Sequence, residues 1–288
     1  MALIENTLEG RVNRVDIAIK RIQSFDPLAL GIMDQPYYVA YSGGKDSDAI
    51  RILCELAGVK HELWHNHTTV DAPETVRYVR SIPGIRISYP EMSMWRLIEK
   101  MGSPPTRRQR YCCGALKERE GKNRVTVTGV RWAESINRRK KRGGVEVQTS
   151  NVKNKLILNA DNDESRRLFE VCRAKGKRVV NPIIDWSDVD VWELLEHYGC
   201  KSNPLYQCGY HRVGCVGCPM STKRAEELER YPKYKLNYIK AFDRMLTRRR
   251  EKGLPCDNWE TGKDVYRWWT LHKALPKEIE GQMTLEAE

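Results

Sequence analysis

The chain has 288 residues, 40% hydrophobic and 31% charged, which suits one large domain plus an appendage and excludes an extensively disordered chain or two independent large domains. Its formal charge of +12 points to polyanionic partners. The acids in its first nine residues exclude a signal peptide, and no run nears the roughly 18 apolar residues of a membrane span, so a cytoplasmic protein with no membrane contact is expected.

Val12, Val15, Ile17, Ile19 and Ile22 recur at helical spacing and predict an N-terminal helical segment over 1–35, broken at Pro36. Tyr37 to Tyr41 is a short apolar run, as expected of a parallel strand covered on both faces. A glycine turn follows, then a helix from Asp48 to Ala57 with Ala49, Leu53, Leu56 and Ala57 on one face and Gly58 as its stop. Strands near 62–65, 85–88 and 124–128 alternate with helices from Glu74, over 91–101 and around 113–120. That rhythm predicts an α/β fold: a Rossmann-like parallel sheet flanked by helices.

Residues 137–177 are basic and weakly periodic, and read as a long loop or hairpin over the site. A strand resumes at Val179-Val180. Ser187 is an expected N-cap, with Asp190 completing a capping box, Val191, Leu194, Leu195 and Tyr198 as the buried stripe, and Gly199 as the end. From Ser221 to about His272 the chain is helical in pattern, with Tyr234, Tyr238, Phe242 and Leu246 in register and Trp268-Trp269 near the end. The expected divisions are a helical segment 1–35, a nucleotide-binding domain 36–220 and a helical extension 221–288.

The turn after the first strand reads Ser42-Gly43-Gly44-Lys45-Asp46-Ser47 and runs straight into a helix. Glycines let a backbone approach a ligand closely, and the N–H groups and dipole of a helix start favour an anion. The hydroxyls of Ser42 and Ser47 add donors, Lys45 neutralises phosphate charge, and Asp46 is placed to reach a Mg2+ ion bridging phosphates. The Gly-x-x-x-x-Gly-Lys-Ser/Thr and Gly-x-Gly-x-x-Gly patterns are absent, which argues against γ-phosphate hydrolysis and dinucleotide binding. The motif resembles the pyrophosphate loop of N-type ATP pyrophosphatases, which grip the β and γ phosphates while a nucleophile attacks the α phosphorus.

Nine cysteines in a reducing compartment read as metal ligands before disulfides. Adjacent Cys112-Cys113 and the Cys215-x-x-Cys218 hook supply four thiolates, the set for a 4Fe-4S cluster, with zinc as the alternative. Gly214 and Gly217 leave room for the cluster and amides for its sulfurs. Cys208 is a spare ligand; Cys54, Cys172 and Cys200 read as core or incidental thiols. The basic excess is bunched at 107–110, 138–142, 173–178 and 248–250, either a nucleic-acid footprint or a solvated basic surface.

Taken in order, several motifs resemble the phosphoadenosine-phosphosulfate reductase family of the adenine-nucleotide alpha-hydrolase-like superfamily, over about Tyr37 to Met220. They are Ser42 to Ser47, Asp71-Ala-Pro-Glu-Thr75, Cys112-Cys113, Gly129-Val-Arg131 with Glu134-Ser135 and Arg138, Asn181 to Trp186, Asp190-Val-Trp192, Asn203-Pro-Leu-Tyr206, Gly209-Tyr210 and Gly214 to Pro219. The resemblance implies that Glu74, Thr75 and Gly129 lie near the nucleotide. It implies that Arg131 faces the phosphates or the sulfur-bearing group, and that the four cysteines hold the cluster. From the residues alone, Asp71 and Glu74 read equally as caps of the helix at Pro73, and Trp186 and Trp192 as core.

Sulfonucleotide reductases of that family carry a degenerate phosphate loop and a C-terminal Glu-Cys-Gly-Leu-His tail. Here the loop is intact and the given sequence ends in Gln282 to Glu288 without a cysteine; Cys256 lies in a different setting, beside Asp257. The expected reaction is therefore ATP cleavage at the α phosphorus, with Lys45, Asp46 and Arg131 as catalytic residues, and adenylation of an acceptor, DNA or tRNA, for sulfur transfer. A cysteine desulfurase is the expected partner. The alternatives are a reductase of adenylyl sulfate or phosphoadenylyl sulfate (APS or PAPS) that uses Cys256 or an outside thiol reductant, and a non-catalytic redox-sensing nucleic-acid binder.

Overall fold

The computed structural model describes the chain except residues 1–2, 8–9, 122, 135–139, 141–142, 150–155, 159–175, 257–258 and 272–288. Ser135, Arg138, Cys172, Asp257 and most of the expected loop 137–177 thus lie outside the described residues. In chain order the elements are β1 (Ile4–Thr7), β2 (Gly10–Asn13), α1 (Arg14–Gln23), β3 (Tyr37–Ala40), α2 (Lys45–Ala57), β4 (His61–Asn66), α3 (Pro73–Arg80), β5 (Arg86–Ser88) and α4 (Met94–Met101). There follow β6 (Val125–Val127), β7 (Val145–Thr149), β8 (Leu156–Leu158), β9 (Gly176–Val180), α5 (Asp188–His197), α6 (Arg224–Arg230), α7 (Pro232–Glu251) and α8 (Gly262–Leu271). They form two compact units, one of residues 1–67, 71–89 and 117–214, the other of 68–70, 90–116 and 215–288.

The first unit is built on a seven-stranded sheet in the order β5-β4-β3-β6-β9-β7-β8. The first five strands are parallel; β7 runs antiparallel to β9 and β8 antiparallel to β7. The central strand β3 is covered on both faces, with Tyr37, Tyr38 and Val39 all buried, as its unbroken apolar run requires. Ile22 of α1, Ile50 and Leu53 of α2, Val127 of β6 and Leu194 of α5 complete one core with it. The hairpin of β7 and β8 agrees with the hairpin reading of 137–177.

Local chemistry moves several boundaries. The chain opens with an antiparallel hairpin, β1 with β2, and the helix starts only at Arg14, because Asn13 Oδ1 accepts from Val15 N at 3.0 Å and caps it. Val12 is therefore a strand residue. α2 starts at Lys45 rather than Asp48, and it buries Ile50 and Cys54 alongside Ala49 and Leu53 while Leu56 is exposed. The segment 113–120 forms a single π turn at Cys113–Lys117. α5 carries the expected capping box, Ser187 N donating to Asp190 Oδ2 at 2.7 Å and Asp190 N to Ser187 Oγ at 3.2 Å. Trp192 and Tyr198 project from it exposed, not into the core, whereas Trp186 is buried.

The second unit is helical. Pro232 at the first position of α7 and the Gly253-Leu-Pro255 turn after it split the expected continuous pattern into α6, α7 and α8. Tyr238, Phe242 and Leu246 of α7 are buried with Trp269 of α8, while Tyr234 is half-buried. Trp95 of α4 meets Tyr238 edge-on with ring centres 4.9 Å apart, and the buried Trp269 Nε1 donates to the Pro105 carbonyl at 2.7 Å.

Candidate functional site

In the first unit, β3 runs into the 42–47 turn at the carboxyl end of the sheet, where open α/β sheets bind ligands. Gly43 has φ +76, and a Cβ there would stand 2.8 Å from Val79 Cγ2, so both conformation and space require glycine. Gly129, just after β6, is required for another reason: a Cβ would lie 2.8 Å from the Asp46 carbonyl oxygen. Its place is to let β6 pack against the backbone of the turn.

The amides at the helix start are already met by hydroxyls. Gly44 N donates to Ser47 Oγ at 3.0 Å, and Lys45 N to the Tyr206 hydroxyl at 2.8 Å. An unpaired N–H near a helix start is costly, and a rotatable hydroxyl is a partner that an incoming phosphate oxygen can replace. Ser42 is exposed, and its hydroxyl lies 3.4 Å from that of Ser47. Asn203, fully buried, fixes the turn from the other side: its Nδ2 donates to the Gly43 carbonyl at 2.9 Å and to Thr75 Oγ1 at 3.2 Å.

Arg131 is 1% exposed, and its guanidinium is bound internally, by Asp46 Oδ1 at 2.7 Å, the Trp186 carbonyl at 3.2 Å and Asp188 Oδ1 at 2.5 Å. Lys45 Nζ lies 3.2 Å from Asp188 Oδ1 and 3.7 Å from Asp46 Oδ2. Two cations and two carboxylates thus balance. Burial alone would raise the Asp188 carboxyl, but the Arg131 hydrogen bond and the Lys45 charge outweigh it and hold it below the usual range.

Thr75 is buried on α3 beside Asn203, and Glu74 stands in the first turn of the same helix. Asp71 does not cap α3, whose N-cap is Ala72 with no side-chain bond; its carboxylate lies 3.1 Å from His67 Nδ1. Sequence reasoning assigned no role to Asp188, Asn203, Tyr206, His65 or His67. Asn203 and Tyr206 fall in a quoted motif; Asp188 and the histidines carry no local signal.

The second unit contains all of Cys112, Cys113, Cys215 and Cys218. A hydrogen bond from the Cys112 thiol to Cys113, and burial, push that thiol far up, and the charges of Cys113, Cys215 and Cys218 push it further. Once deprotonated these four thiols would need a cation, so the residue set has the donors of a metal centre. Arg110 Nη2 lies 3.5 Å from Cys113 Sγ, and Cys215 Sγ 3.4 Å from Thr68 Oγ1. Gly217 has φ +72 and abuts Tyr238, and its amide donates to Glu227 Oε2 at 3.4 Å rather than to a sulfur.

Cys54 is fully buried, Cys200 lies 3.6 Å from Arg51 Nη2, Cys208 is exposed, and Cys256 makes long contacts to the carbonyls of Leu246 and Leu254. Of the basic bunches, 248–250 is partly structural. Arg249 bonds the Gly102 and Pro255 carbonyls, Arg250 bonds the Glu260 carbonyl, and all three close the last turn of α7 against its dipole. Arg107, Arg108 and Arg110 are exposed.

A glycine turn between the central parallel strand and a helix start places the chain among nucleotide-binding α/β proteins with a Rossmann-like sheet. Residues 36–221 match the phosphoadenosine phosphosulfate reductase domain, and the chain belongs to that family. An uncharacterized protein of Methanocaldococcus jannaschii is 26% identical over 251 residues, covering 81% of this chain and 46% of that protein. The adenosine 5'-phosphosulfate reductase of Allochromatium vinosum is 34% identical over 55 residues, 19% of this chain and 22% of that enzyme. Among solved structures, the phosphoadenylyl-sulfate reductase of Candida auris aligns with a TM-score of 0.40 at 16% identity, over 74% of this chain and 97% of that one. The chain spans less than half the length of the curated relatives it matches over the longest stretches. Among the described residues no helix is long and apolar enough to cross a membrane.

Proposed function

We propose that this chain is an iron–sulfur ATP pyrophosphatase of its family. An acceptor oxygen attacks the α phosphorus of ATP, pyrophosphate leaves, and a sulfur nucleophile then displaces AMP from the adenylated acceptor. The observation that carries this reading is the intact 42–47 turn. Gly43 and Gly44 clear a path for phosphate oxygens, hydroxyls hold the amides of Gly44 and Lys45 in position for exchange, and the Lys45 ammonium stands at the helix start.

Each residue then has a task. Lys45 and the turn amides take the β and γ phosphates, Ser42 and Ser47 add hydroxyl donors, and Glu74, Thr75 and Gly129 frame the nucleotide pocket. Arg131 acts at one remove, holding Asp46 and Asp188 so that Lys45 is aimed. Because the acids are already balanced by Lys45 and Arg131, a Mg2+ ion would enter with the nucleotide's own phosphates, with Asp46 as its protein ligand. Cys112, Cys113, Cys215 and Cys218 would hold a 4Fe-4S cluster. When bound, it supplies an iron centre that neutralises four thiolates and ties 112–113 to 215–218. The charge of +12 and the exposed Arg107, Arg108 and Arg110 favour a nucleic acid, DNA or tRNA, as acceptor, with a cysteine desulfurase as sulfur source.

A second reading, reduction of APS or PAPS to sulfite with a thiol reductant, is favoured by the short stretches of 33–35% identity shared with such reductases. The two separate by product. Anaerobic protein should release pyrophosphate from ATP and no sulfite from either sulfonucleotide; sulfite release with inert ATP would replace the first reading by the second.

A further inference from the structure

The end of β4 carries a donor set that the nucleotide chemistry does not use. His65 and Asp71 are buried, at 4% and 6% exposure, and His67 is half-buried. Asp71 Oδ2 lies 3.7 Å from His65 Nε2 and 3.1 Å from His67 Nδ1. One ligand atom from each residue falls within 4.8 Å of the others.

The tautomer of His65 follows from its other nitrogen. Nδ1 lies 3.0 Å from the Tyr41 carbonyl oxygen, which only accepts, so Nδ1 carries a proton, and in the neutral ring Nε2 then presents a lone pair. That lone pair is buried, has no hydrogen-bond partner and faces a carboxylate oxygen too distant for a hydrogen bond. A buried lone pair against an anion is unfavourable, and a cation between them reverses the sign. An imidazole that donates its second nitrogen to a backbone carbonyl is also the arrangement that orients metal-bound histidines.

We propose that His65 Nε2, His67 Nδ1 and Asp71 form a mononuclear site for a divalent first-row transition ion, separate from the thiol set. Two imidazoles and one carboxylate are the donors that zinc and ferrous iron take. A tetrahedral ion with bonds of about 2.0–2.1 Å spaces its ligand atoms by about 3.3 Å, and the observed 3.1 and 3.7 Å bracket that value. Three protein ligands leave at least one position for an oxygen ligand, a water or a substrate oxygen. The site lies at the carboxyl ends of β3 and β4, and the carbonyl that orients His65 belongs to the residue before Ser42, so ion and phosphate turn share one backbone segment.

The test is Co2+ titration of the full-length, chelator-treated protein under anaerobic conditions, read by visible absorption, with total metal counted separately. The expected result is one equivalent of Co2+ with d–d bands and no thiolate-to-cobalt charge transfer, separate from any Co2+ that the emptied thiol set takes up with such charge transfer. Its affinity should fall at least about 100-fold in His67→Gln and Asp71→Asn variants whose circular dichroism is native. Absence of that equivalent, or its persistence in both variants, overturns the proposal. Should the variants fail to fold, X-ray absorption of the wild-type Co2+ protein decides: nitrogen and oxygen ligands support the site, and sulfur ligands alone overturn it. ATP plays no part in the titration, so failure here leaves the pyrophosphatase reading standing, and the reverse.

Discussion

Arg131 Nε lies 2.7 Å from Asp46 Oδ1, joining the end of β6 to the first turn of α2 by an ion pair whose cationic partner is 1% exposed. Through Nη2 the same guanidinium holds Asp188, which in turn faces Lys45. Removing one partner from such a network leaves buried charge uncompensated, typically costing about 3–5 kcal/mol. Because Asp46 and Asp188 remain partly exposed, the cost here falls below that range. Arg131→Met should therefore lower unfolding stability by about 2–3 kcal/mol and weaken ATP binding, whereas Arg131→Lys should recover part of the stability. Urea unfolding and calorimetry check both; stability within about 0.5 kcal/mol of wild type would show the network to be idle.

Gly43 tests the fit of the turn. With φ +76 and Val79 Cγ2 at 2.8 Å from a built Cβ, Gly43→Ala combines backbone strain with a steric clash. A loss of about 1–3 kcal/mol in stability and at least tenfold in ATP affinity is expected. Gly31→Ala, with nothing within 4 Å, is the control and should change neither.

Asp48 gives a pH signature. Burial raises its carboxyl to about 6, in spite of the Tyr41 hydroxyl, which donates to it at 2.5 Å. The folded protein keeps this proton where the unfolded chain, titrating near about 3.9, has released it. Its stabilisation is therefore complete below about pH 4 and lost as pH rises through about 6. Asp48→Asn cannot ionise and should gain on the wild type between pH 4 and 7 by up to about 3 kcal/mol. Parallel stability curves for the two proteins would contradict the assignment.

The thiol set predicts a metal-dependent second unit. Anaerobic protein should carry about four irons per chain, and Cys113→Ser or Cys218→Ser should lose most of them. Thermal unfolding should move down on chelation in the wild type but not in these variants. One zinc per chain with no iron would replace the cluster by a single ion.

Much of this was legible in the residues. The strand and the Ser42-Gly43-Gly44-Lys45 turn are local, and glycine constraints mark the turn without help from the rest of the chain. The capping box of Ser187 and Asp190 is local in the same sense. What could not be read depends on partners far along the chain. The fixed partner of Arg131, Asp188, is 57 residues away and carries no local signal. His65 owes its tautomer to a carbonyl 24 residues earlier. Val12 fits helical spacing and strand alternation equally, and only the cap at Asn13 decides between them.

The central claim is that the 42–47 turn directs cleavage of ATP to the α phosphorus. Anaerobically reconstituted protein supplied with ATP, Mg2+ and a mixture of tRNA and duplex DNA should release pyrophosphate. Lys45→Ala should lower that rate at least about 100-fold, the scale of losing one preorganised charge contact in the transition state. Orthophosphate as the product, or equal pyrophosphate release by Lys45→Ala and wild type, would contradict it.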